Sequence, residues 1–275
     1  MSPELRNSDK QRESRFMLST TAMIPVLLGS TRVPDKNIIL VDGRVLCSYT
    51  IESCNKSGVF DDVYLYSEDG IFESIARQEG ARFHRRPPEW GGRACRQKTK
   101  SRDCAGKRCV LNEHYLYHFM TTATDAEYVC QVNATSPLLK PETISAFVDT
   151  MIREGYDSCF ATLAIRAESF FKGEPVTFSR KYKCPSNEIE PIQSICWAIA
   201  GWNRQAYIDA YDHDDSAEDG PAFVGNLGLF PIDEREALDI DQWSTLDVVE
   251  QFLIARRTKM ARTWHYLDGR NITLE

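Results

Sequence analysis

Apolar and polar positions follow two different rhythms along this chain. Short apolar runs bounded by polar residues predict β-strands at 23–28, 61–67, 82–86, 127–132 and 157–163. Longer segments with helical spacing, closed by glycines or opened by proline, predict helices at 46–57, 69–79, 111–123 and 141–154. This alternation predicts an α/β fold with a mostly parallel central sheet covered by helices on both faces.

Beyond residue 165 the alternation gives way to a different pattern. The sequence predicts a hairpin around Gly173, a long strand in 192–200, an acidic loop over 210–220, a strand at 237–241 and a helix at 244–257. No linker composition interrupts the chain after residue 22. We therefore expect a disordered tail over 1–22 and a single domain over 23–275.

Composition narrows the classes of function. The 275 residues carry a net charge of −7, which disfavours a nucleic-acid partner because such proteins present a basic surface. No apolar run approaches the roughly 18 residues of a membrane helix. Nine scattered cysteines are typical of reduced thiols rather than of a disulfide framework, so we expect a cytoplasmic protein.

The first candidate motif is VLLGSTRVPDKNI, residues 26–38, directly after a predicted strand. Gly29 permits a tight turn with backbone N–H groups near a ligand. Arg32 and Lys36 have the charge to neutralise phosphate oxygens. The motif therefore predicts a phosphate cradle, and a turn that is merely polar is the alternative.

The second motif, VNATSPLL at 132–139, also follows a predicted strand. Asn133, Thr135 and Ser136 offer donors and acceptors suited to a base edge or to ribose hydroxyls. The alternative is a polar loop that leads into the helix at 141–154.

The third motif is ALDID at 237–241. On a strand, Asp239 and Asp241 would point to the same face, where a cation between them would offset their repulsion. Hard carboxylate oxygens suit Mg²⁺, although either aspartate could instead cap the following helix. Together, a phosphate cradle, a base-reading loop and a carboxylate pair at strand ends describe a nucleotidyltransferase.

These motifs, in this order, resemble the acylneuraminate cytidylyltransferases (CMP-N-acetylneuraminate synthetases) and the related CMP-Kdo synthetases. GSTRVPDKNI resembles the phosphate loop of that family, VNATSPLL its A-T-S-P segment, and LDID its metal-binding Asp-x-Asp. The resemblance implies a Rossmann-like three-layer sandwich of the nucleotide-diphospho-sugar transferase type, usually homodimeric. It also implies a Mg²⁺-dependent reaction in which the hydroxyl of an acidic sugar attacks the α-phosphate of CTP, giving a CMP-sugar and pyrophosphate.

The resemblance also implies roles for individual residues. Arg32 and Lys36 would be catalytic, Asp239 and Asp241 would hold the metal, and 165–220 would form an acceptor and dimerisation portion. Gln193 and Ser194 would contact the acceptor. The residues implied at the nucleotide are Leu28, Gly29, Ser30, Arg32, Lys36, Ser67, Arg86, Asn133, Thr135 and Ser136.

Two departures from the family pattern leave alternatives open. Leu27 stands where the family usually has a cation, so a catalytically impaired nucleotide-binding scaffold is one alternative. Gln193, Ser194 and Ile195 replace a Glu-Asn-Gly element, and basic residues crowd the acceptor half, so a phosphonate acceptor is another.

A third departure is a basic, cysteine-bearing insertion at 91–109. It is interpreted as a loop that closes over the phosphates, as a surface insertion without a ligand, or as a zinc site completed by His84 or His114. The cysteine spacings of this segment fit zinc poorly.

Overall fold

The computed structural model describes residues 18–88, 111–213, 221–258, 262–265 and 271–274. Its strands, in chain order, are β1 Thr20–Pro25, β2 Leu40–Val41, β3 Arg44–Val45, β4 Asp62–Ser67, β5 Arg82–Arg85, β6 Tyr128–Val132, β7 Ser158–Ile165, β8 Phe170–Phe171, β9 Glu174–Pro175, β10 Ile192–Asn203, β11 Leu227–Pro231, β12 Arg262–His265 and β13 Asn271–Leu274. Seven of them form one sheet in the order β11-β7-β10-β6-β1-β4-β5, in which only β10 runs antiparallel to its neighbours.

The α-helices cover both faces of this sheet. They are α1 Leu46–Ser57, α2 Ile71–Gln78, α3 Leu111–Thr122, α4 Pro141–Glu154, α5 Arg204–Asp212 and α6 Trp243–Thr258. Helices α1, α2 and α4 pack on one face, while α3 and α5 pack on the other. The three-layer, mostly parallel architecture expected from the sequence is confirmed.

Local signals explain where the helices begin and end. Helix α1 ends at Gly58, whose φ of 65° is a left-handed conformation that closes the last turn. Helix α4 begins with Pro141, which lacks the N–H that a first turn would leave unpaired, and ends at Gly155 with φ of 64°. Both helices occupy the residues that the sequence predicts.

Two predicted strands differ from the structure. Strand β1 lies three residues earlier than predicted, at Thr20–Pro25, because its pairing with β4 and β6 starts there. The predicted strand at 237–241 is wrong. Those residues form a loop, in which Ala237 and Ile240 are buried three positions apart, and the last strand of the sheet is β11.

The second half of the chain contains the predicted hairpin, β8 and β9, and the long strand β10. Residues 210–212, predicted as part of an acidic loop, instead form the last turn of α5, a helix whose first turn is capped by the Asn203 side chain. Residues 1–17, the insertion at 91–109 and residues 214–220 lie outside the described residues. Within the described ranges, no helix is both long and apolar enough to cross a bilayer.

Candidate active site

A cavity of about 400 Å³ opens where β1 and β6 end. It brings together Ser30, Arg32, Lys36, Asn133 and Thr135, five of the residues that the sequence assigns to the nucleotide. The remaining lining residues are Pro25, Leu27, Thr31, Val33, Asn37 and Ala134. The first two candidate motifs, a hundred residues apart in the chain, therefore face one cavity.

The loop after β1 is held open by short-range hydrogen bonds. The Gly29 N–H donates to Asp35 Oδ1 at 2.6 Å, and the Asn37 amide donates to the Leu27 carbonyl at 3.0 Å. Gly29 has a φ of 84°, a conformation that side chains disfavour. The loop therefore curves around the cavity, while Leu28 packs against the hydrophobic core and can offer only its backbone.

Lys36 and Arg32 converge on Asp241 from the opposite end of the chain. The distance from Lys36 Nζ to Asp241 Oδ1 is 2.8 Å, and Arg32 lies 2.8 Å from the other oxygen. Lys36 also donates to the Ile240 carbonyl at 2.6 Å. Partial burial would raise the pKa of Asp241, but the hydrogen bond and charge of Lys36, with Arg32, lower that pKa below its usual value.

Asp239 lies beside this ion-paired cluster but has a different environment. Its Oδ1 is buried and has no hydrogen-bond partner among the described residues, and Thr135 bonds to its carboxylate. Desolvation and the nearby charge of Asp241 raise the pKa of Asp239. The Ile240 N–H donates to the Thr135 carbonyl at 2.8 Å, which fixes this loop against the second motif.

Unsatisfied polar atoms are concentrated in this region. In the described ranges, four buried side-chain atoms have no hydrogen-bond partner: Asn37 Oδ1, Arg86 Nε, Ser136 Oγ and Asp239 Oδ1. Such atoms are rare, because a buried polar atom without a hydrogen bond destabilises the folded protein. A ligand that forms the missing hydrogen bond removes this penalty. All four belong to residues that follow β1, β5 or β6 or lie in the loop at 232–242, called here the aspartate loop.

Arg86 is the one charged residue among the predicted nucleotide residues that the structure buries, with 2% of its surface exposed. Its guanidinium donates to the Val26 carbonyl at 3.0 Å, pairs with Glu68, and lies 5.4 and 5.6 Å from the ring centroids of Tyr66 and Tyr115. Through its bond to Val26, Arg86 therefore holds the start of the loop that follows β1. It is not among the residues that line the cavity.

Other predicted site residues are dispersed. Ser67 is buried, and its hydroxyl accepts the Asp69 N–H at 3.2 Å; it is not a lining residue either. Gln193 and Ser194 are consecutive in β10, so their side chains point to opposite faces of the sheet. Gln193 accepts a hydrogen bond from Thr162 at 2.6 Å, whereas Ser194 is exposed.

A hydrogen-bonded chain connects the cavity to the helical layer. The Asn133 side-chain oxygen accepts from Gln131 at 3.0 Å, and Gln131 accepts from the Tyr115 hydroxyl at 3.1 Å. Burial raises the pKa of Tyr115 to about 12, so this hydroxyl remains a donor at neutral pH. The chain fixes the orientation of the Asn133 amide toward the cavity.

Sequence reasoning missed Asn37, Asp35 and Glu236 as site-shaping residues. Asn37 directly follows Lys36 in the phosphate-loop pattern, which is a signal that could have identified it. Glu236, only 3% exposed, accepts the Lys140 N–H at 2.9 Å and pairs with Lys140 Nζ at 2.8 Å. It thereby ties the aspartate loop to the start of α4, and no local sequence pattern indicates this contact.

We expect replacement of Glu236 with alanine to lower the free energy of unfolding by about 2 kcal/mol, because a partly buried N–H loses a charged acceptor. Glu236→Gln keeps an acceptor for that N–H and loses only the half-exposed ion pair, so we expect less than half of this loss. Denaturant unfolding of the three proteins measures both effects. Equal stability of Glu236→Ala and the wild type would contradict the anchoring role.

The environment of His84 leads us to expect that the stability of the folded protein depends on pH. Burial, and secondarily the adjacent His118, lower the pKa of His84, so its neutral form is favoured in the folded protein. The unfolded chain then binds a proton more readily, and stability is lost as the pH falls below about 6.5. We expect His84→Asn to flatten the fall in melting temperature between about pH 7 and pH 5. Parallel curves for the two proteins would contradict this.

Comparison with known proteins gives consistent results. The family model described as Cytidylyltransferase matches residues 21–96. The chain is 28% identical over 156 residues to N-acylneuraminate cytidylyltransferase A of Danio rerio, covering 57% of this chain and 32% of that protein. It is 30% identical over 144 residues to pseudaminic acid cytidylyltransferase of Campylobacter jejuni, covering 52% and 58%. These matches confirm the resemblance inferred from the motifs. The chain spans about a third of the length of the Danio rerio protein and just under three fifths of the length of the Campylobacter jejuni protein.

Solved structures agree on the fold. The structure of CMP:2-keto-3-deoxy-manno-octonic acid synthetase complexed with CTP superposes with a TM-score of 0.62, at 13% identity, over 86% of this chain and 99% of that one. The 4-diphosphocytidyl-2C-methyl-D-erythritol synthase of Anaerococcus prevotii superposes with a TM-score of 0.58, at 9% identity, over 86% of this chain and 99% of that one. The Rossmann-like three-layer fold is therefore confirmed.

Proposed function

This chain is related to the cytidylyltransferases that act on acidic sugars, and on that premise we propose that it transfers CMP from CTP to the hydroxyl of an acidic sugar. The acceptor hydroxyl releases its proton to solvent, its oxygen forms a bond to the α-phosphorus, the bond from that phosphorus to the oxygen shared with the β-phosphate breaks, and pyrophosphate leaves. The observation that carries the proposal is the convergence of Arg32, Lys36 and Asp241 at a cavity that Asn133 and Thr135 also line.

A bound triphosphate would replace Asp241 as the ion-pair partner of Arg32 and Lys36. In the free protein, Arg32 and Lys36 offset the charge of Asp241. We infer that they turn to phosphate oxygens when CTP binds, since Arg32 is 65% exposed and can move. Fixed cations at the phosphates stabilise the charge that develops on the leaving pyrophosphate. Arg32 would take the role of the cation that relatives have at the position of Leu27.

Asp239 and Asp241 fit a magnesium ion. The orphaned Oδ1 of Asp239 is a buried oxygen without a donor, and two carboxylates with phosphate oxygens are a usual ligand set for Mg²⁺. When bound, Mg²⁺ would neutralise phosphate charge and orient the triphosphate. No group of three or more potential ligand residues occurs in the part of the chain that the structure describes, so the phosphates would complete the coordination.

The base is read by the loop that follows β6. We infer that Asn133 hydrogen-bonds the cytosine or the ribose, since Gln131 and Tyr115 hold its side chain in one orientation. Ser136, whose buried hydroxyl lacks a partner among the described atoms, supports the same loop through its backbone N–H, which donates to the Asn133 carbonyl at 3.1 Å.

The acceptor is inferred to be an acidic sugar of the sialic or pseudaminic type, since the relatives at 28% and 30% identity are named for those substrates. Of the two residues expected at the acceptor, Gln193 is the better candidate because it shares a sheet face and a hydrogen bond with Thr162.

We propose that the protein is a cytoplasmic homodimer that associates through the portion around β8 and β9. Phe170, Phe171, Val176 and Tyr182 are 58% to 67% exposed there, which is costly for a monomer. All six cysteines that the structure describes are free thiols, as expected in a reducing compartment. Light scattering should give a dimer mass for the wild type and a smaller mass for a Phe170→Ser, Phe171→Ser variant; a wild-type monomer would contradict the proposal.

Product identification tests the proposed reaction. The protein is incubated with CTP, Mg²⁺ and single acceptors: N-acetylneuraminate, pseudaminate, Kdo and simple phosphonates. We expect a CMP-sugar detected by mass spectrometry with one of the sugar acids. If only a phosphonate gave a CMP conjugate, the acceptor would be a phosphonate and not a sugar acid. If no acceptor gave a conjugate, the transfer reaction would be contradicted.

A further inference from the structure

A second cavity, of about 390 Å³, lies between α1, the β2–β3 hairpin, the start of α4 and the end of α6. The proposed reaction makes no use of it. Four cationic side chains and two carboxylates line it: Arg44, Lys56, Arg256, Arg257, Asp42 and Glu52. Its lining charge is therefore positive, in a protein whose net charge is −7.

The two carboxylates are already engaged by three of these cations. Glu52 pairs with both Arg44 and Lys56, and Asp42 accepts two bonds from Arg257, at 2.7 and 3.0 Å. Among the described residues, Arg256 has no carboxylate partner and donates only to the Leu138 carbonyl at 2.8 Å. Arg256 thus brings a positive charge that the cavity itself does not balance.

Apart from Ser53, the remaining lining is largely apolar. It includes Tyr49, Pro137, Pro141 and Leu253. The Tyr49 hydroxyl donates to the Val41 carbonyl at 2.7 Å, and the Arg44 guanidinium lies 4.9 Å from its ring centroid. A rigid aromatic face beside an excess of positive charge suits a ligand that has an apolar body and an anionic group.

We propose that this cavity is a second ligand site, which binds a small phosphate ester with an aromatic or other flat apolar group. Arg256 and Lys56 hold the phosphate, the first through its planar fork and the second as a point charge. Tyr49, Pro137 and Leu253 contact the body of the ligand.

The position of this site connects it to the candidate active site. Leu138, the hydrogen-bond acceptor of Arg256, lies in the same 132–139 segment as Asn133 and Thr135. Helix α6, which carries Arg256, begins two residues after Asp241. A phosphate that draws Arg256 away from Leu138 therefore acts on an element shared with the loops that line the first cavity.

Calorimetric titration with phenyl phosphate tests the proposal. The background is Lys36→Ala, so that the first cavity has lost its main phosphate contact. We expect saturable binding of one phenyl phosphate per chain, which weakens as salt is added. Adding Lys56→Gln and Arg256→Gln should weaken this binding at least tenfold, whereas adding Arg77→Gln, an exposed cation on α2, should leave it unchanged.

Two results would overturn the proposal. One is the absence of saturable binding in the Lys36→Ala protein, and the other is unchanged affinity after Lys56→Gln and Arg256→Gln. If the double variant proves unstable, Lys56→Gln alone serves, since Lys56 is 64% exposed on α1; we expect a loss of affinity of at least threefold. An affinity equal to that of the Arg77→Gln control would overturn the site with this variant too.

Discussion

Replacing Lys36 with alanine lowers the rate of pyrophosphate release from CTP by about a thousandfold, the upper part of the range for loss of one preorganised donor. Lys36 is held in place by two contacts, with Asp241 Oδ1 and the Ile240 carbonyl, and only 16% of its side chain is exposed. It therefore meets the phosphates without a large loss of side-chain freedom. Initial rates at saturating CTP and acceptor measure the effect.

Two comparisons make this result specific. Arg32→Ala should lower the rate only about tenfold. Arg32 is 65% exposed, so it loses more side-chain conformational entropy than Lys36 when it binds the phosphates. Arg77→Ala, which removes an exposed cation on α2, should retain the wild-type rate. A Lys36→Ala protein that is folded and keeps more than about a tenth of the wild-type rate would contradict the role of Lys36.

Replacing Asp239 with asparagine lowers the rate by about a hundredfold or more, while the folded protein becomes no less stable. Asparagine has nearly the same shape and keeps an oxygen that can accept from Thr135, but it loses the negative charge. Because burial and Asp241 raise the pKa of Asp239, its negative charge destabilises the folded state relative to the unfolded chain. Its removal should leave the melting temperature unchanged or raise it by roughly 2–4 °C.

The combination of these two readouts separates a ligand-binding carboxylate from a structural one. Asp241→Asn is the matched variant, since it loses both activity and the ion pairs with Arg32 and Lys36, and its melting temperature should fall. If Asp239→Asn lowered the melting temperature and left the rate intact, the carboxylate would be structural. The magnesium proposal would then fail.

The parts of the fold that could be predicted are those set by local signals. Helices α1 and α4 begin and end where the sequence predicts, because Gly58, Pro141 and Gly155 act within one turn of the backbone. The strand predicted at 237–241 failed because a period of two over five residues is a weak signal. Burial of Ala237 and Ile240 in a loop satisfies the same apolar residues.

The candidate site could be predicted only in part. The residue types in the first two motifs identify phosphate and base contacts without any tertiary information. The pairing of Lys36 with Asp241 spans 205 residues, and depends on how α6 and the loop before it pack near β1 and β6. The burial of Arg86 beneath Val26 likewise depends on packing between strands, which no sequence motif records.

The measurement that tests the central claim most directly is pyrophosphate release with Mg²⁺ and each of CTP, UTP, ATP and GTP, in the presence and absence of acidic sugars. We predict acceptor-dependent release with CTP, which is lost in Lys36→Ala and Asp239→Asn and retained in Arg77→Ala. Binding of CTP with no release on any acceptor, or equal release in the wild type and both site variants, would contradict cytidylyl transfer at this cavity.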